Sequence, residues 1–224
     1  DLMRSQLNFE VSQDPILGAG LKMNGLGGRS VNVLIDGVPL TGRLNDNIDL
    51  SQIALNNVER IEIIDGPMAV EFGTNSMAGT INIITKTDLG GRFIVDASAQ
   101  YESVGVQSQS LSWAKNDNGR HHSLHINRYY FDGWSPTDNT WDGFADYQAD
   151  SSRTRLWNPK LQHTLEWKTQ FQLGKWLVKP RFSGIFEEIE NKGAPRQPYE
   201  ETAFDDRYNT RRILPAVEIK HYGQ

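Results

Sequence analysis

The clearest pattern in the chain is a strict alternation of polar and mostly apolar residues from Lys160 to Leu173. Every even position of this stretch is polar, whereas the odd positions include three leucines, a tryptophan and a phenylalanine. Because successive side chains of a strand point to opposite faces, this period of two predicts a β-strand. The strand is longer than is typical of a soluble protein.

The same alternation recurs along the second half of the chain and predicts an antiparallel series of strands. Short connections, including Asn116–Gly119 and Leu173–Lys175, are interspersed with long ones at Asp132–Ser152 and Asn191–Asp206. Apart from the first hairpin, this rhythm is typical of a transmembrane β-barrel. A soluble antiparallel sandwich is the alternative. The predicted strands lie near residues 91–101, 106–115, 120–131, 155–173, 175–190 and 209–222. Tryptophans near their ends, which could form interfacial girdles, are Trp113, Trp134, Trp157, Trp167 and Trp176.

Residues 1–86 have a different pattern, with short elements joined by glycine, asparagine and aspartate. Two β-branched strands are predicted over Val58–Ile64 and Gly79–Thr85, separated by a glycine-rich turn. Asp49 is expected to cap a short helix from Leu50 to Leu55. These features predict a compact α+β unit.

Composition narrows the class further. Hydrophobic residues make up 38% of the 224 positions, the mean hydropathy is -0.55, and no run approaches the ~18 apolar residues of a spanning helix. The net charge of -5 argues against a nucleic-acid partner. The absence of cysteine excludes disulfides and thiolate metal sites.

Two motifs of the first half together resemble a known family. The stretch from Glu59 to Lys86 contains ERIE, a Gly-Pro pair, Phe72-Gly73 and AGTINIITK, and VLIDGVPL begins upstream at Val33. In this wording and order the chain resembles the plug domain of TonB-dependent outer-membrane receptors. The resemblance implies a plug domain over residues 1–88, N-terminally incomplete, followed over 89–224 by about six antiparallel strands of a transmembrane β-barrel. Plugged transporters have 22 strands, so the chain is expected to be a fragment of a longer receptor.

The resemblance also implies a function, namely active import across the bacterial outer membrane. The chain is expected to bind a scarce ligand outside the cell, either an iron–siderophore, haem or cobalamin. Its implied partners are TonB with its inner-membrane energy complex, the small metal-chelate or vitamin ligand, and the lipid bilayer. The alternatives are a glycan or peptide importer that works with a surface lipoprotein, and a plugged passive porin or adhesin.

Ligand recognition in the resembled family falls on plug loops at the outward apex, which correspond here to the segments 41–47 and 68–77. Arg43 would supply a cation for an acidic or catecholate-type ligand; alternatively, it pairs with Asp46 or Asp49 on a solvated turn. Phe72 stands where the family commonly has tyrosine, so a hydroxyl is missing there. The candidate ligand-binding residues are Arg43, Leu44, Asn45, Phe72 and Asn75.

The sequence departs from the family at two places where arginine often precedes glycine. Here those places read Asn24-Gly25 and Asp65-Gly66-Pro67. Because the family's arginines typically hold the plug against barrel glutamates, that contact is expected to be replaced. The candidate plug–barrel contact residues are Arg60, Glu59 and Glu62.

No catalytic constellation is visible, so an enzyme, a cofactor and a resident metal are not expected. His121 and His125 fall on one side of a predicted strand and are interpreted as polar strand residues. The acidic, aromatic stretch from Asp132 to Asp150 does not match a calcium-loop pattern and is interpreted as an outer loop that contacts solvent and ligand.

Overall fold

The computed structural model describes residues 9–14, 18–41, 48–54, 57–66, 77–86, 92–134, 157–191, 195–196, 201–202 and 205–223. The chain divides into two compact units, Asp1–Gly91 and Arg92–Gln224. Within the described residues, no helix is long and apolar enough to cross a membrane.

The first unit contains two small sheets. One is an antiparallel three-stranded sheet of β1 (Phe9–Asp14), β2 (Gly18–Met23) and β3 (Leu26–Gly27). The other is a four-stranded sheet in the order β5-β4-β7-β6. Its strands are β4 (Val31–Ile35), β5 (Val38–Pro39), β6 (Val58–Asp65) and β7 (Gly79–Thr85).

Strand β7 lies in the middle of the four-stranded sheet and shares its apolar core with β4. It runs parallel to β4 and antiparallel to β6. Its alternate residues Ile81 and Ile83 are fully buried and 2% exposed, respectively. Asn82, which lies between them, is a buried polar residue on the opposite face. Leu34 on β4 is 1% exposed. The two predicted strands of this unit are therefore confirmed.

The predicted helix from Leu50 to Leu55 is wrong in extent. Asp49 does cap a turn, since its Oδ1 accepts a hydrogen bond from the Ser51 amide at 2.8 Å. The turn is a single 3-10 turn, Leu50–Gln52, and the backbone is already extended at Ile53. Ile53 is β-branched, so its side chain favours this extended conformation. A second 3-10 turn covers Gly28–Ser30.

The second unit is an antiparallel meander of six long strands. Their spatial order, β15-β12-β11-β10-β9-β8, follows the chain apart from a small hairpin in the last connection. The strands are β8 (Phe93–Tyr101), β9 (Val106–Asp117), β10 (Arg120–Phe131), β11 (Lys160–Leu173), β12 (Trp176–Asn191) and β15 (Asp206–His221); the hairpin is β13 (Pro195–Arg196) with β14 (Glu201–Thr202).

The six predicted strands are confirmed, with small differences at their ends. The fourth begins at Lys160, directly after Pro159, and not near 155. The last begins at Asp206, because it pairs with β12 along its whole length, up to Asn191. Trp113 and Trp167 lie inside their strands, whereas Trp176 begins β12 and its ring centroid is 4.5 Å from that of His221.

Candidate functional site: one end of the plug sheet and the two faces of the long sheet

One end of the four-stranded sheet is formed where β6 ends and where β4 and β7 begin; we call it the loop end. Asp65 pairs there with Gly79, and Gly79 pairs with Val31. The Gly66 amide donates to the Ala78 carbonyl at 3.4 Å. The chain therefore leaves β6 and re-enters β7 at the same place. Phe72 and Asn75, which belong to the intervening segment, lie outside the described residues.

The second predicted ligand segment is also attached on the side of the loop end. The Leu40 amide donates to the Val33 carbonyl at 2.8 Å, so the chain after β5 runs back along β4 toward Val31. Thr41 is the last described residue before the segment 42–47. The predicted ligand residues of that segment, Arg43, Leu44 and Asn45, lie outside the described residues.

A direct polar contact joins the two positions where the sequence departs from the family's arginines. The Asn24 side-chain amide donates to Asp65 Oδ1 at 2.8 Å, across 41 residues of chain. Asn24 and Gly25 both have positive φ and form the two-residue turn between β2 and β3, as an Asn-Gly pair favours. The contact therefore links the three-stranded sheet to the loop end. The sequence showed both residues, but nothing in it showed that they meet.

Arg60, Glu59 and Glu62 form a local ion-pair cluster on β6. Arg60 Nη1 lies 2.9 Å from Glu59 Oε1, and its Nη2 lies 3.0 Å from Glu62 Oε1. The hydrogen bond to Glu62 is the largest influence that raises the pKa of the Arg60 guanidinium, and the charge of Glu59 acts in the same direction. Glu62 Oε2 also accepts from the Asn82 amide at 3.0 Å, and Asn82 Oδ1 accepts from the Gly37 amide at 2.8 Å. The cluster thus ties β6 to the turn after β4, and a contact of these three residues with the barrel stays a prediction.

Asp36 closes the opposite end of the same sheet. Its Oδ1 accepts from the Thr85 amide and its Oδ2 from the Thr85 hydroxyl, both at 2.8 Å. Asp36 and Gly37 both have positive φ, the conformation of the tight turn that the motif IDG predicts. One carboxylate therefore joins this turn to the end of β7.

The six-stranded sheet of the second unit has one apolar face, which extends from Phe93 on β8 at one edge to β15 at the other. All of its exposed large hydrophobic side chains lie on this face, as the strand pairing shows. Exposures range from 39% for Ile126 and Trp167 to 70% for Tyr101. The others are Phe93, Val95, Leu111, Leu173, Trp176, Phe186, Ile213, Val217 and Ile219.

The opposite, polar face of this sheet is the better buried one. Gln162 is 2% exposed and Thr164 is 5% exposed. Lys160 and Glu187 form an ion pair at 2.6 Å, with side-chain exposures of 12% and 3%. This arrangement reverses that of a soluble sheet, in which apolar residues are covered and polar ones are exposed. The polar even positions of β11 gave the signal for this face, and the sequence singled out His121 and His125 on it, but not the pair Lys160 and Glu187.

The histidines of β10 are held by polar neighbours. His125 Nδ1 lies 2.8 Å from Ser112 Oγ on the polar face, and His122 Nδ1 lies 2.6 Å from Thr169 Oγ1. Within the described part of the chain, no group of three or more histidine, aspartate or glutamate side chains is placed to hold a metal ion. Most of the segment from Asp132 to Asp150 lies outside the described residues.

The plug sheet and the long sheet both resemble parts of known proteins. Residues 1–80 match the family model described as TonB-dependent Receptor Plug Domain. The fold matches the copper transporter OprC with a TM-score of 0.66 at 17% identity, over 87% of this chain and 29% of that one. It matches P. aeruginosa FpvA bound to heterologous pyoverdines with a TM-score of 0.66 at 14% identity, over 99% and 29%. The unliganded ferric citrate transporter FecA gives 0.67 at 16% identity, over 97% and 33%.

The class is therefore a plug domain followed by antiparallel strands with the fold of plugged TonB-dependent barrels. The first 80 residues are similar to the plug domain of TonB-dependent receptors. The match bears out the plug resemblance of the two sequence motifs, and the solved structures confirm the fold. The chain spans about a third or less of the length of each of these three receptors.

Proposed function

We propose that this chain is the plug and part of the barrel wall of an outer-membrane active transporter. The transporter binds a small metal chelate outside the cell and imports it with energy delivered through TonB. Iron–siderophore, haem and cobalamin remain the candidate ligand classes. The solved receptors of the same fold are described as handling copper, iron-loaded pyoverdine and ferric citrate, which favours a metal or a metal chelate.

The loop end of the plug is the observation that carries this proposal. Both segments predicted to bind ligand extend from it, one after Thr41 and one after Gly66. Two loops that start from the same end of a rigid sheet can converge on a single ligand, and binding sites are often built on loops held by a rigid scaffold. Arg43 would give this site a fixed cation, suited to the carboxylate or catecholate oxygens of a ferric chelate.

The faces of the long sheet support the membrane location. A broad exposed apolar face is costly in water but favourable against lipid. On β12, the apolar face extends from Trp176 to Phe186, which is roughly 34 Å at about 3.4 Å per residue. With a strand tilt of about 40°, it would cover roughly 26 Å, close to the apolar band of ~25 Å in outer-membrane barrels.

The test is ligand binding and uptake by the full-length receptor in outer membranes. We expect Arg43→Gln to weaken binding of an anionic ferric chelate by about 10- to 100-fold, because it removes a charge-assisted contact worth about 1.5–3 kcal/mol. Arg60→Gln is the matched control: it removes a cation of the same plug whose charge is already paired with two glutamates. It should leave the affinity within about twofold.

The pattern of uptake separates the alternatives. Import that stops without TonB supports the proposed transporter, whereas TonB-independent uptake would identify a passive porin. Binding of glycan or peptide that requires a surface lipoprotein would identify the second type of importer. Equal loss of affinity in Arg43→Gln and Arg60→Gln would contradict a ligand site at the loop end.

A further inference from the structure

A row of basic side chains crosses the apolar face of the six-stranded sheet. Arg128 on β10 pairs with His163 on β11, His163 pairs with Phe186 on β12, and Phe186 pairs with Arg211 on β15. Cross-strand partners lie side by side on the same face, so these four side chains form one line across four strands. We call Arg128, His163 and Arg211 the basic row.

The basic row borders the apolar band directly. The next row on the same face consists of apolar residues and glycine: Leu111, Ile126, Leu165, Gly184 and Ile213. The basic row lies on the side of this band from which the two longest connections leave, because β10 ends at Phe131 and β12 ends at Asn191. Its position is therefore the border of the apolar band on the side of the long loops.

The guanidinium of Arg128 is held in place by two neighbours among the described residues. Its Nη1 donates to the Gln109 side-chain oxygen at 3.0 Å, and its guanidinium carbon lies 5.3 Å from the centre of the Tyr130 ring. Both neighbours are uncharged. They fix the plane of the guanidinium and leave its other donors for an anion.

Arg211 and His163 are exposed, and neither makes an ion pair within the described part of the chain. Two acidic residues farther along β12 on the same face are engaged by another cation: Arg207 lies 3.1 Å from Glu188 and 3.2 Å from Glu190. The face thus has a paired cluster nearer the strand ends and, next to the apolar band, two permanent cations without a paired carboxylate among the described residues.

We propose that the basic row binds the phosphates of a lipid headgroup whose acyl chains lie along the apolar band. The proposal rests on the proposed function, since that function places the apolar face against lipid. An arginine on the lipid face costs about 2–4 kcal/mol at the bilayer midplane and about 0–1 near the interface, so the row belongs at the interface. Guanidinium groups match phosphate oxygens in a bidentate geometry.

The spacing of the row narrows the class of lipid. Arg128 and Arg211 are separated by three strand spacings, which is roughly 14 Å at about 4.8 Å each. One phosphate cannot contact both guanidinium groups closely across that distance. The row therefore fits a headgroup that carries two separated phosphates, with His163 between them as a third donor.

The test is lipid binding by the full-length receptor in phosphatidylcholine nanodiscs that contain either diphosphorylated or monophosphorylated lipid A. Bound lipid is counted by native mass spectrometry. We expect the wild type to retain diphosphorylated lipid at least fivefold more strongly than the monophosphorylated form. Arg128→Gln with Arg211→Gln should lower retention of the diphosphorylated form at least tenfold and remove the difference between the two.

Arg207→Gln is the matched control, because it removes a cation of the same face that is already paired with two glutamates. It should change retention by less than twofold. Circular dichroism of each variant checks that the barrel is intact. Equal retention by the wild type and the double variant, or equal losses in the double variant and Arg207→Gln, would overturn the proposal.

Failure of this proposal can be separated from failure of the proposed function. A receptor that inserts into membranes and imports its chelate, but retains both lipids equally, contradicts only the lipid site. A protein that does not enter nanodiscs contradicts the membrane location and with it both proposals.

Discussion

Gly79 at the start of β7 should be among the least replaceable residues of the plug. Its φ is +148°, a region that L side chains rarely adopt. A Cβ there would lie 2.6 Å from the Ile64 carbonyl oxygen and 2.6 Å from the end of the Met23 side chain. Met23 is only 1% exposed, so it has little room to move, and the carbonyl belongs to the paired strand β6.

The expected cost of Gly79→Ala follows from two effects that add. The backbone strain contributes about 1–3 kcal/mol, and the forced overlap with a packed backbone contributes about 1–3 kcal/mol more. A loss of about 4 kcal/mol in the free energy of opening β7 corresponds to several hundred-fold faster amide exchange. Hydrogen–deuterium exchange of the full-length protein, followed at the amides of Ile81 and Ile83, measures this acceleration.

Substitutions at two other glycines distinguish the backbone strain from the forced overlap. Gly37 also has positive φ, but a Cβ there would meet nothing within 4 Å. Gly37→Ala should therefore cost only the strain, about 1–2 kcal/mol, and accelerate exchange by roughly 5- to 30-fold. Gly184 has ordinary φ and ordinary contacts, at 3.6 Å or more, so Gly184→Ala should leave exchange in the plug unchanged. If Gly79→Ala had no more effect than Gly37→Ala, the argument from the Ile64 carbonyl would be refuted.

Two further predictions concern polar contacts. Asn24→Ala and Asp65→Ala should each accelerate amide hydrogen exchange at the loop end by a few-fold, since an exposed hydrogen bond contributes about 0.5–1.5 kcal/mol. The double variant should exchange no faster than the faster of the two single variants. Additive effects of the two substitutions would contradict a direct contact. In the long sheet, Glu187→Leu should destabilise the protein by about 3–5 kcal/mol in thermal unfolding, because it removes the buried carboxylate that forms an ion pair with Lys160. The double variant with Lys160→Met should recover most of that loss, and failure to recover would show that the pair is not the source.

The strands could be predicted closely because their signal is local. A period of two needs only neighbouring residues, and the alternation of Lys160–Leu173 predicted both the strand and its polar face. The helix predicted after Asp49 was too long, because the structure has only one 3-10 turn there, Leu50–Gln52. A capping residue indicates where a turn begins, but its length depends on what the following residues pack against, and Ile53 is extended.

The candidate site was less accessible to sequence reasoning, because its contacts connect distant residues. The Asn-Gly turn was visible in the sequence, but its hydrogen bond to Asp65 spans 41 residues. The basic row is still less visible, since Arg128, His163 and Arg211 come from three different strands. Their alignment depends on the pairing register, and a shift of one residue in any strand would move a cation to the other face.

The two units of this chain place their apolar residues differently: the first buries them, and the second exposes them on one face of its sheet. In the plug, apolar residues such as Leu34 and Ile81 are buried, as water requires. In the long sheet, residues such as Val217 and Ile219 are exposed on the apolar face, while Gln162 and Glu187 are buried on the other. A strand with only one apolar face has half polar positions, so a mean hydropathy of -0.55 is compatible with a lipid-facing surface. The proposed membrane location therefore rests on the direction in which each alternate residue points, and not on the average hydropathy.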